Sequence, residues 1–303
     1  MTKLCIIGGA GVVGATFAFH LASAGIVDEI VMLDVKENVL KAHVMDIGQG
    51  VSEVSRTAVR AGQASDLSGA DIVMMSASVP AVDIKSRDEL LNANLGIVRE
   101  AAANIAQFCP EAVVLNATAP TDVFNYLFYR LIGGDRRKYL GFNYNDTLRL
   151  KWAAARALGV PSTRVDAVVL GEHGEKQVPL YEHIYLDKQK VTLSPEQKIE
   201  TEEIVDNWFS TYISLHSGRS AGWTSAIGLV KVTAAILQKC ETPIPCSVIP
   251  EGEYGHRDTS IGLPVLLGPG GVQKIIELDI SSQSKEKLLE AAEKIAKMAK
   301  ECI

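Results

Sequence analysis

Lys3-Leu4-Cys5-Ile6-Ile7-Gly8-Gly9-Ala10-Gly11-Val12-Val13-Gly14 is the stretch that decides the fold class of this chain. Residues 3–7 form a short apolar run, the pattern of a strand buried on both faces of a parallel sheet. Gly9, Gly11 and Gly14 then fit G-x-G-x-x-G, and a helical run follows to about Ala24, with a stop at Gly25. In such a unit the first glycine makes the tight turn and the second lets backbone approach a pyrophosphate. The third lets the helix pack closely on the strand. The helix N-terminus then offers free N–H groups and a favourable dipole to the diphosphate. A second strand, Glu29 to Leu33, ends in Asp34, twenty positions after Gly14. A carboxylate there accepts from the ribose hydroxyls and repels a 2′-phosphate, so the expected cofactor is NAD and not NADP.

Working outward, strands and helices keep alternating. Val39 to Met45 reads as a helix and Asp71 to Ser76 as a strand. Asp88 to Phe108 is a long amphipathic helix stopped by Pro110. Ala112 to Leu115, Thr121 to Leu131 and Tyr139 to Phe142 read as strand, helix and strand. This alternation implies right-handed crossovers and an α/β, doubly wound parallel sheet.

The totals agree with a globular chain of one large or two medium domains: 303 residues, 47% hydrophobic and 22% charged. The net charge of -6 argues against nucleic-acid or anionic-membrane partners, which need a basic face. No apolar run is long enough to span a bilayer. Met1-Thr2-Lys3 passes straight into strand-like sequence, so no signal or transit peptide is expected. Cys5, Cys109, Cys240, Cys246 and Cys302 are scattered and odd in number. That pattern fits free thiols in a reducing, cytoplasmic setting and offers no metal-ligand spacing.

The second half carries the proton chemistry. Val165 to Leu170 reads as one buried strand, followed by Gly171-Glu172-His173-Gly174, a histidine between two glycines. Histidine is suited to passing protons near neutral pH. Upstream, Asn145-Asp146-Thr147-Leu148-Arg149 opens a helix to about Leu158, with Asp146 placed to act as N-cap. Asp146 and Arg149, three apart, share a helical face. As a mere surface ion pair they would contribute about half a kcal/mol. As a functional pair, the arginine clamps a carboxylate with its planar fork. The aspartate holds the Nδ1–H of His173. Arg87 ends the loop Val79-Pro80-Ala81-Val82-Asp83-Ile84-Lys85-Ser86, which leaves a strand's C-terminal end where a lid would lie. A cation in a helix's first turn is unfavourable, which hints at another task.

Together the motifs Gly9-Ala10-Gly11-Val12-Val13-Gly14, Asp34, Ser86-Arg87 with Asn94, Asp146-x-x-Arg149 and Gly171-Glu172-His173-Gly174 with Val178-Pro179 resemble the lactate/malate dehydrogenase family. The resemblance covers nearly the whole chain, in order. It implies a Rossmann NAD-binding domain over 1–143, a mixed α/β substrate domain over 144–303, and reversible hydride transfer between NAD and an L-2-hydroxy acid. Carried over, His173 exchanges the proton with the substrate oxygen, Asp146 orients it and Arg149 binds the carboxylate. Arg87 arrives with the lid to stabilise charge on the carbonyl oxygen. Substrate contacts are expected at Asn94, Ala81 and Thr224 as well. Cofactor contacts are expected at Gly9, Gly11, Val12, Val13, Gly14, Asp34, Ala77, Asn94, Ala117 and Ala119. The family assembles as homodimers or homotetramers.

Two positions depart from the family pattern. Where lactate enzymes carry glutamine and malate enzymes arginine, this chain has Ala81, with Arg56, Arg60, Lys85 or a neighbouring subunit as replacements for the missing cation. Where the family has an asparagine in Asn-Pro-x-Asp, this chain has Ala119-Pro120-Thr121-Asp122. The chain is also one residue shorter around Trp223-Thr224-Ser225-Ala226, where Thr224 is expected to supply the substrate-facing hydroxyl. Arg87 to Val98 looks like malate enzymes, which favours malate. The alternatives are a weak or inactive NAD-binding homologue and a dehydrogenase for a bulkier, apolar 2-hydroxy acid. The remainder reads as scaffold. Pro195 to Leu215, Ser220 to Gln238 and Lys285 to Cys302 are helices, the last with Leu288, Leu289, Ala292, Ile295 and Met298 on its apolar side. Pro243 to Ile249 and Gly262 to Leu267 are strands.

Overall fold

A computed structural model of the chain describes residues 1–79, 87–217 and 220–303. The expected residues Pro80, Ala81, Lys85 and Ser86 lie outside them, as do Gly218 and Arg219, and the side chains of Arg87 and Asp88 are not described.

The first half alternates as its apolar periodicity requires. In order come β1 (Lys3–Ile7), α1 (Val12–Ala24), β2 (Glu29–Leu33), α2 (Glu37–Val51), β3 (Ala58–Ala61), β4 (Ile72–Met75), α3 (Arg87–Phe108), β5 (Val113–Asn116), α4 (Thr121–Ile132) and β6 (Tyr139–Gly141). These strands pair parallel in the order β3-β2-β1-β4-β5-β6. The order reverses at the β1–β4 junction. The crevice above the strands' C-terminal ends there is where a doubly wound sheet takes its ligand. Strand β3 escapes sequence reading because Ala58-Val59-Arg60-Ala61 is a weak edge strand with no fully buried face. Helix α2 extends past the expected Val39 to Met45 at both ends; Ile47 and Val51 are buried in its last turns, separated by Gly48, Gln49 and Gly50, which break up the apolar run. The left-handed turn after β1 is made by Gly8 (φ 95°), one residue before the motif's first glycine. Gly14 is required by contact: a Cβ there would lie 2.3 Å from the carbonyl oxygen of Gly8, so helix α1 could not pack on β1.

The second half contains α5 (Tyr144–Leu158), β7 (Val165–Asp166), β8 (Val169–Gly171), β9 (Gln177–Pro179), β10 (Tyr185–Leu186), β11 (Gln189–Lys190) and α6 (Pro195–Ser214). These are followed by α7 (Gly222–Gln238), β12 (Ile244–Val248), β13 (Ile261–Gly268), β14 (Gly271–Ile275) and α8 (Ser282–Cys302). Strands β12, β13, β8 and β9 extend the main sheet beyond β6 with antiparallel pairing, and β14 pairs β13. The architecture is thus a Rossmann-type parallel sheet followed by mixed α/β structure.

Two expectations are corrected here. Val165 to Leu170 is not one strand. β7 joins a three-stranded sheet with β10 and β11, whereas β8 joins the main sheet. The run is uniformly apolar because it serves two cores. Val165, Ala167 and Val169 bury against Leu150, Ala154, Ile184 and Val205, while Leu170 faces the large core around the main sheet. Leu289 is not on the apolar side of α8. Leu288, Ala292, Ile295 and Met298 are buried, but Leu289 falls about 100° around the helix and is 48% exposed.

Candidate active site

The dinucleotide end is built by backbone. The N–H groups of Gly8 and Gly9 both donate to the carbonyl of Leu33 at 2.9 Å, locking the glycine turn onto the end of β2. Asp34, the next residue, accepts from the N–H of Ala10 (3.0 Å) and of Lys36 (2.9 Å), one on each carboxylate oxygen. Its carboxylate is therefore held in place with lone pairs to spare. Helix α1 begins at Val12 with no side-chain cap and no acidic residue in its first turn. Its first N–H groups and positive dipole end remain available to a diphosphate, so these residues fit a dinucleotide. Ala77 and Ala117 extend the ends of β4 and β5. They are tied together by Thr118 Oγ1 donating to the Ala77 carbonyl (2.9 Å) and by Ala117 N–H donating to Met75 (2.7 Å).

Asn94, on α3, is fully buried and bridges these strand ends. Its Nδ2 donates to Ala119 O (3.0 Å) and Ser78 Oγ (3.0 Å), and its Oδ1 accepts from Val79 N–H (2.9 Å). Its amide is thereby engaged with protein groups. The Ala119–Pro120 peptide bond is cis. Asn116, three positions before Ala119, does not replace the missing amide. Its side chain donates to the carbonyls of Thr118 and Thr121 and accepts from Thr118 N–H, holding the loop itself.

The candidate proton-transfer end assembles where α5 meets the end of β8. Gly171, at φ 88°, turns the chain sharply out of the strand, a conformation that favours glycine. His173 Nδ1 lies 2.7 Å from Asp146 Oδ2. The carboxylate can only accept, so Nδ1 carries the proton and Nε2 is the basic nitrogen. Asp146 Oδ1 meanwhile accepts from Arg149 Nη1 at 3.2 Å. The three residues thus form one connected unit across a gap of 24 residues in the chain.

Asp146 is not the N-cap of its helix. Asn143 occupies that position, and Asp146 lies inside the first turn with its carboxylate turned to His173. The contact with the imidazole wins because both groups are withdrawn from water. Asp146 is buried, and the His173 side chain is only 28% exposed. Burial pulls the Arg149 guanidinium below the ordinary arginine range, while Asp146 beside it opposes the shift.

Several neighbours were not legible in the sequence. Asp122, at the start of α4, is buried, and its Oδ2 accepts from the His173 N–H at 2.8 Å. Burial pushes its carboxyl up to about 6, with Ser247, then His173, pulling the other way. Its Oδ1 has no partner in hydrogen-bonding geometry, since the Ser247 hydroxyl is engaged with Ser260 at 2.8 Å. Burial therefore dominates. The only sequence signal for Asp122 was its place two residues after Pro120. Glu172, 4% exposed, is paired with Lys294 of α8. Trp208 of α6 lies over the guanidinium of Arg149, 4.3 Å from Cζ to the ring centre. No local spacing announces either contact.

Thr224 is exposed, whereas its neighbour Ser225 is buried. Ser225 accepts from Asn145 Nδ2 (2.9 Å), beside Asp146, and donates to the carbonyl of Ala221 (2.7 Å). The placement of Arg60 argues against it as the missing cation. It sits on the edge strand β3, bound to Glu29 (2.7 Å) and Asp66 (2.9 Å).

Comparison with known proteins agrees with this layout. A model of the lactate/malate dehydrogenase NAD-binding domain matches residues 2–141, and one of the lactate/malate dehydrogenase α/β C-terminal domain matches residues 145–303. A malate dehydrogenase from Natronomonas pharaonis is 30% identical over 300 residues, 98% of each chain. Among solved structures, the malate dehydrogenase of Cryptosporidium parvum superposes with a TM-score of 0.92 at 26% identity, covering 99% of both chains. The lactate dehydrogenase of the same organism, complexed with lactic acid and NAD, gives 0.91 at 26% identity, covering 99% of this chain and 98% of that one.

Proposed function

Because the chain belongs to the lactate/malate dehydrogenase family, we propose that His173, Asp146 and Arg149 carry its chemistry on an L-2-hydroxy acid and the matching 2-oxo acid. It is an NAD-dependent dehydrogenase. When bound, NADH supplies the hydride to the carbonyl carbon.

The chain's own residues do the rest. Arg149 holds the substrate carboxylate through its guanidinium fork. His173 gives its Nε2 proton to the carbonyl oxygen as that oxygen gains electrons, and takes it back in the oxidative direction. Asp146 keeps Nδ1 protonated and stabilises the imidazolium. Arg87, whose side chain lies outside the described residues, is assigned the stabilisation of charge on that oxygen. Gly9, Gly11, Val12, Val13, Gly14, Asp34, Ala77, Ala117 and Ala119 line the cofactor's path, and Asn94 holds that lining together. The observation that carries this reading is the 2.7 Å contact of His173 Nδ1 with an Asp146 carboxylate that also receives Arg149.

For the substrate, the reading is oxaloacetate/malate, supported by several relatives named malate dehydrogenase at 30–32% identity. A second reading, a bulkier apolar acid, is favoured by Ala81, which brings no cation to a second carboxylate. A steady-state panel of pyruvate, oxaloacetate and branched 2-oxo acids with NADH separates the two. No turnover with any of them rejects dehydrogenase chemistry at this site. A His173→Asn variant should bind NADH while losing most of the rate; an unaffected rate would remove His173 from the mechanism.

The division at 143/144, a homodimeric or homotetrameric assembly and a cytoplasmic setting belong to the same proposal. Among the described residues no helix is long and apolar enough to cross a membrane, and the five cysteines are unpaired.

A further inference from the structure

We infer that Trp208 is a positioning residue for the substrate-binding arginine, fixing the plane in which Arg149 presents its fork. The inference rests on the reading of Arg149 as the carboxylate ligand.

Arg149 is weakly tethered by hydrogen bonds alone. Nη1 reaches Asp146 at 3.2 Å, and Nε is buried with no partner. One long bond leaves the guanidinium able to rotate about it. Trp208 restricts that freedom: Arg149 Cζ lies over the indole ring, 4.3 Å from its centre. Trp208 is itself backed by Tyr212, one turn further along α6, with ring centres 5.0 Å apart and planes 13° from parallel. The result is a layered stack of Arg149, Trp208 and Tyr212.

The stack is mounted rigidly. Val205 of α6 is buried with Leu150 and Ala154 of α5 in the smaller core, so the two helices move as one. Geometry also separates the two tasks of the guanidinium. A π face attracts the cation without supplying a lone-pair acceptor, whereas a carboxylate accepts from the N–H groups. Trp208 therefore holds the guanidinium without competing for its N–H donors.

The test compares Trp208→Leu, Trp208→Phe and Arg149→Lys by steady-state kinetics with the best 2-oxo acid of the panel. Trp208→Leu should raise the KM for the oxo acid about tenfold, the loss of one partly desolvated cation–π contact, with the NADH dissociation constant unchanged. Trp208→Phe should recover most of the loss, because it keeps a π face. An unchanged KM in Trp208→Leu overturns the inference, as does a Phe variant no better than Leu. If Arg149→Lys leaves KM unchanged, the reading of Arg149 itself fails. If Arg149→Lys raises KM while Trp208→Leu does not, only the role of Trp208 fails.

Should Trp208→Leu not fold, tryptophan fluorescence of the unmodified enzyme decides. Adding oxamate to the NADH complex should change emission more in the native chain than in Trp208→Phe, which retains Trp152 and Trp223 as the common background. No difference between the two overturns the proposal.

Discussion

Lys294, near the end of the chain, places its ammonium 3.1 and 3.0 Å from the two carboxylate oxygens of Glu172, the residue before His173. The last helix thus clamps the loop that carries His173, the proposed proton donor. Glu172 is 4% exposed and also accepts from the Lys176 N–H at 3.1 Å, so Lys294 supplies the opposite charge in a set of contacts that holds the buried carboxylate. Lys294→Met should cost roughly 2 kcal/mol in urea unfolding, less than a fully buried pair because the lysine is 29% exposed. The double variant Glu172→Gln/Lys294→Met should recover most of it. A double variant no more stable than the single one would show that the pair is not what Glu172 needs.

Asp146 accepts on both sides, from His173 Nδ1 and from Arg149 Nη1. An asparagine has one acceptor and one donor face, so Asp146→Asn must set a donor against one of those neighbours. The expected outcome is a fall in kcat of at least about a hundredfold with NADH affinity retained, since orienting aspartates act mainly through the imidazole's tautomer. Stopped-flow measurement of the hydride step checks this, and a rate within a few-fold of the native enzyme would refute it.

Asp122 links the site to stability at acid pH. Its folded carboxyl titrates at about 6, above the roughly 3.9 of an unfolded aspartate. Between those values the folded chain binds the proton and the unfolded chain does not. This group therefore favours folding below about pH 4, and the contribution is lost as pH rises through 6, on the order of 3 kcal/mol at most. Asp122→Asn should abolish that slope. Relative to the native chain, the variant should gain stability between pH 4 and 6.5 in urea titrations; parallel curves would mean that Asp122 titrates as an ordinary aspartate.

Asp34 is held by the N–H groups of Ala10 and Lys36, so it cannot easily turn away from a 2′-phosphate. NADH should be preferred over NADPH by at least about a hundredfold in kcat/KM, a few kcal/mol of like-charge repulsion and lost hydrogen bonds. Asp34→Ser should narrow that ratio, chiefly by improving NADPH. Equal use of both cofactors by the native chain would contradict the assigned role.

Much of the fold was legible because it rests on short-range patterns. The boundaries of β1, α1 and β2 follow from an apolar run, three glycines and a helix stop. Where local pattern failed, the cause was a competing long-range partner. Val165 to Leu170 looked like one strand because two cores draw on the same apolar run. Ala58–Ala61 was missed because an edge strand needs no buried face.

The candidate site divides in the same way. Residue types and spacings by themselves picked out the dinucleotide unit and Asp34, and with the family resemblance they nominated Asp146, Arg149 and His173, because each chemistry demands particular side chains. Only the tertiary structure decided that Asp146 serves His173 and does not cap its helix. It alone placed Asp122 beneath the histidine, Lys294 on Glu172 and Trp208 on Arg149. Those contacts join residues 51 to 122 positions apart, where periodicity carries no information and burial selects the partner.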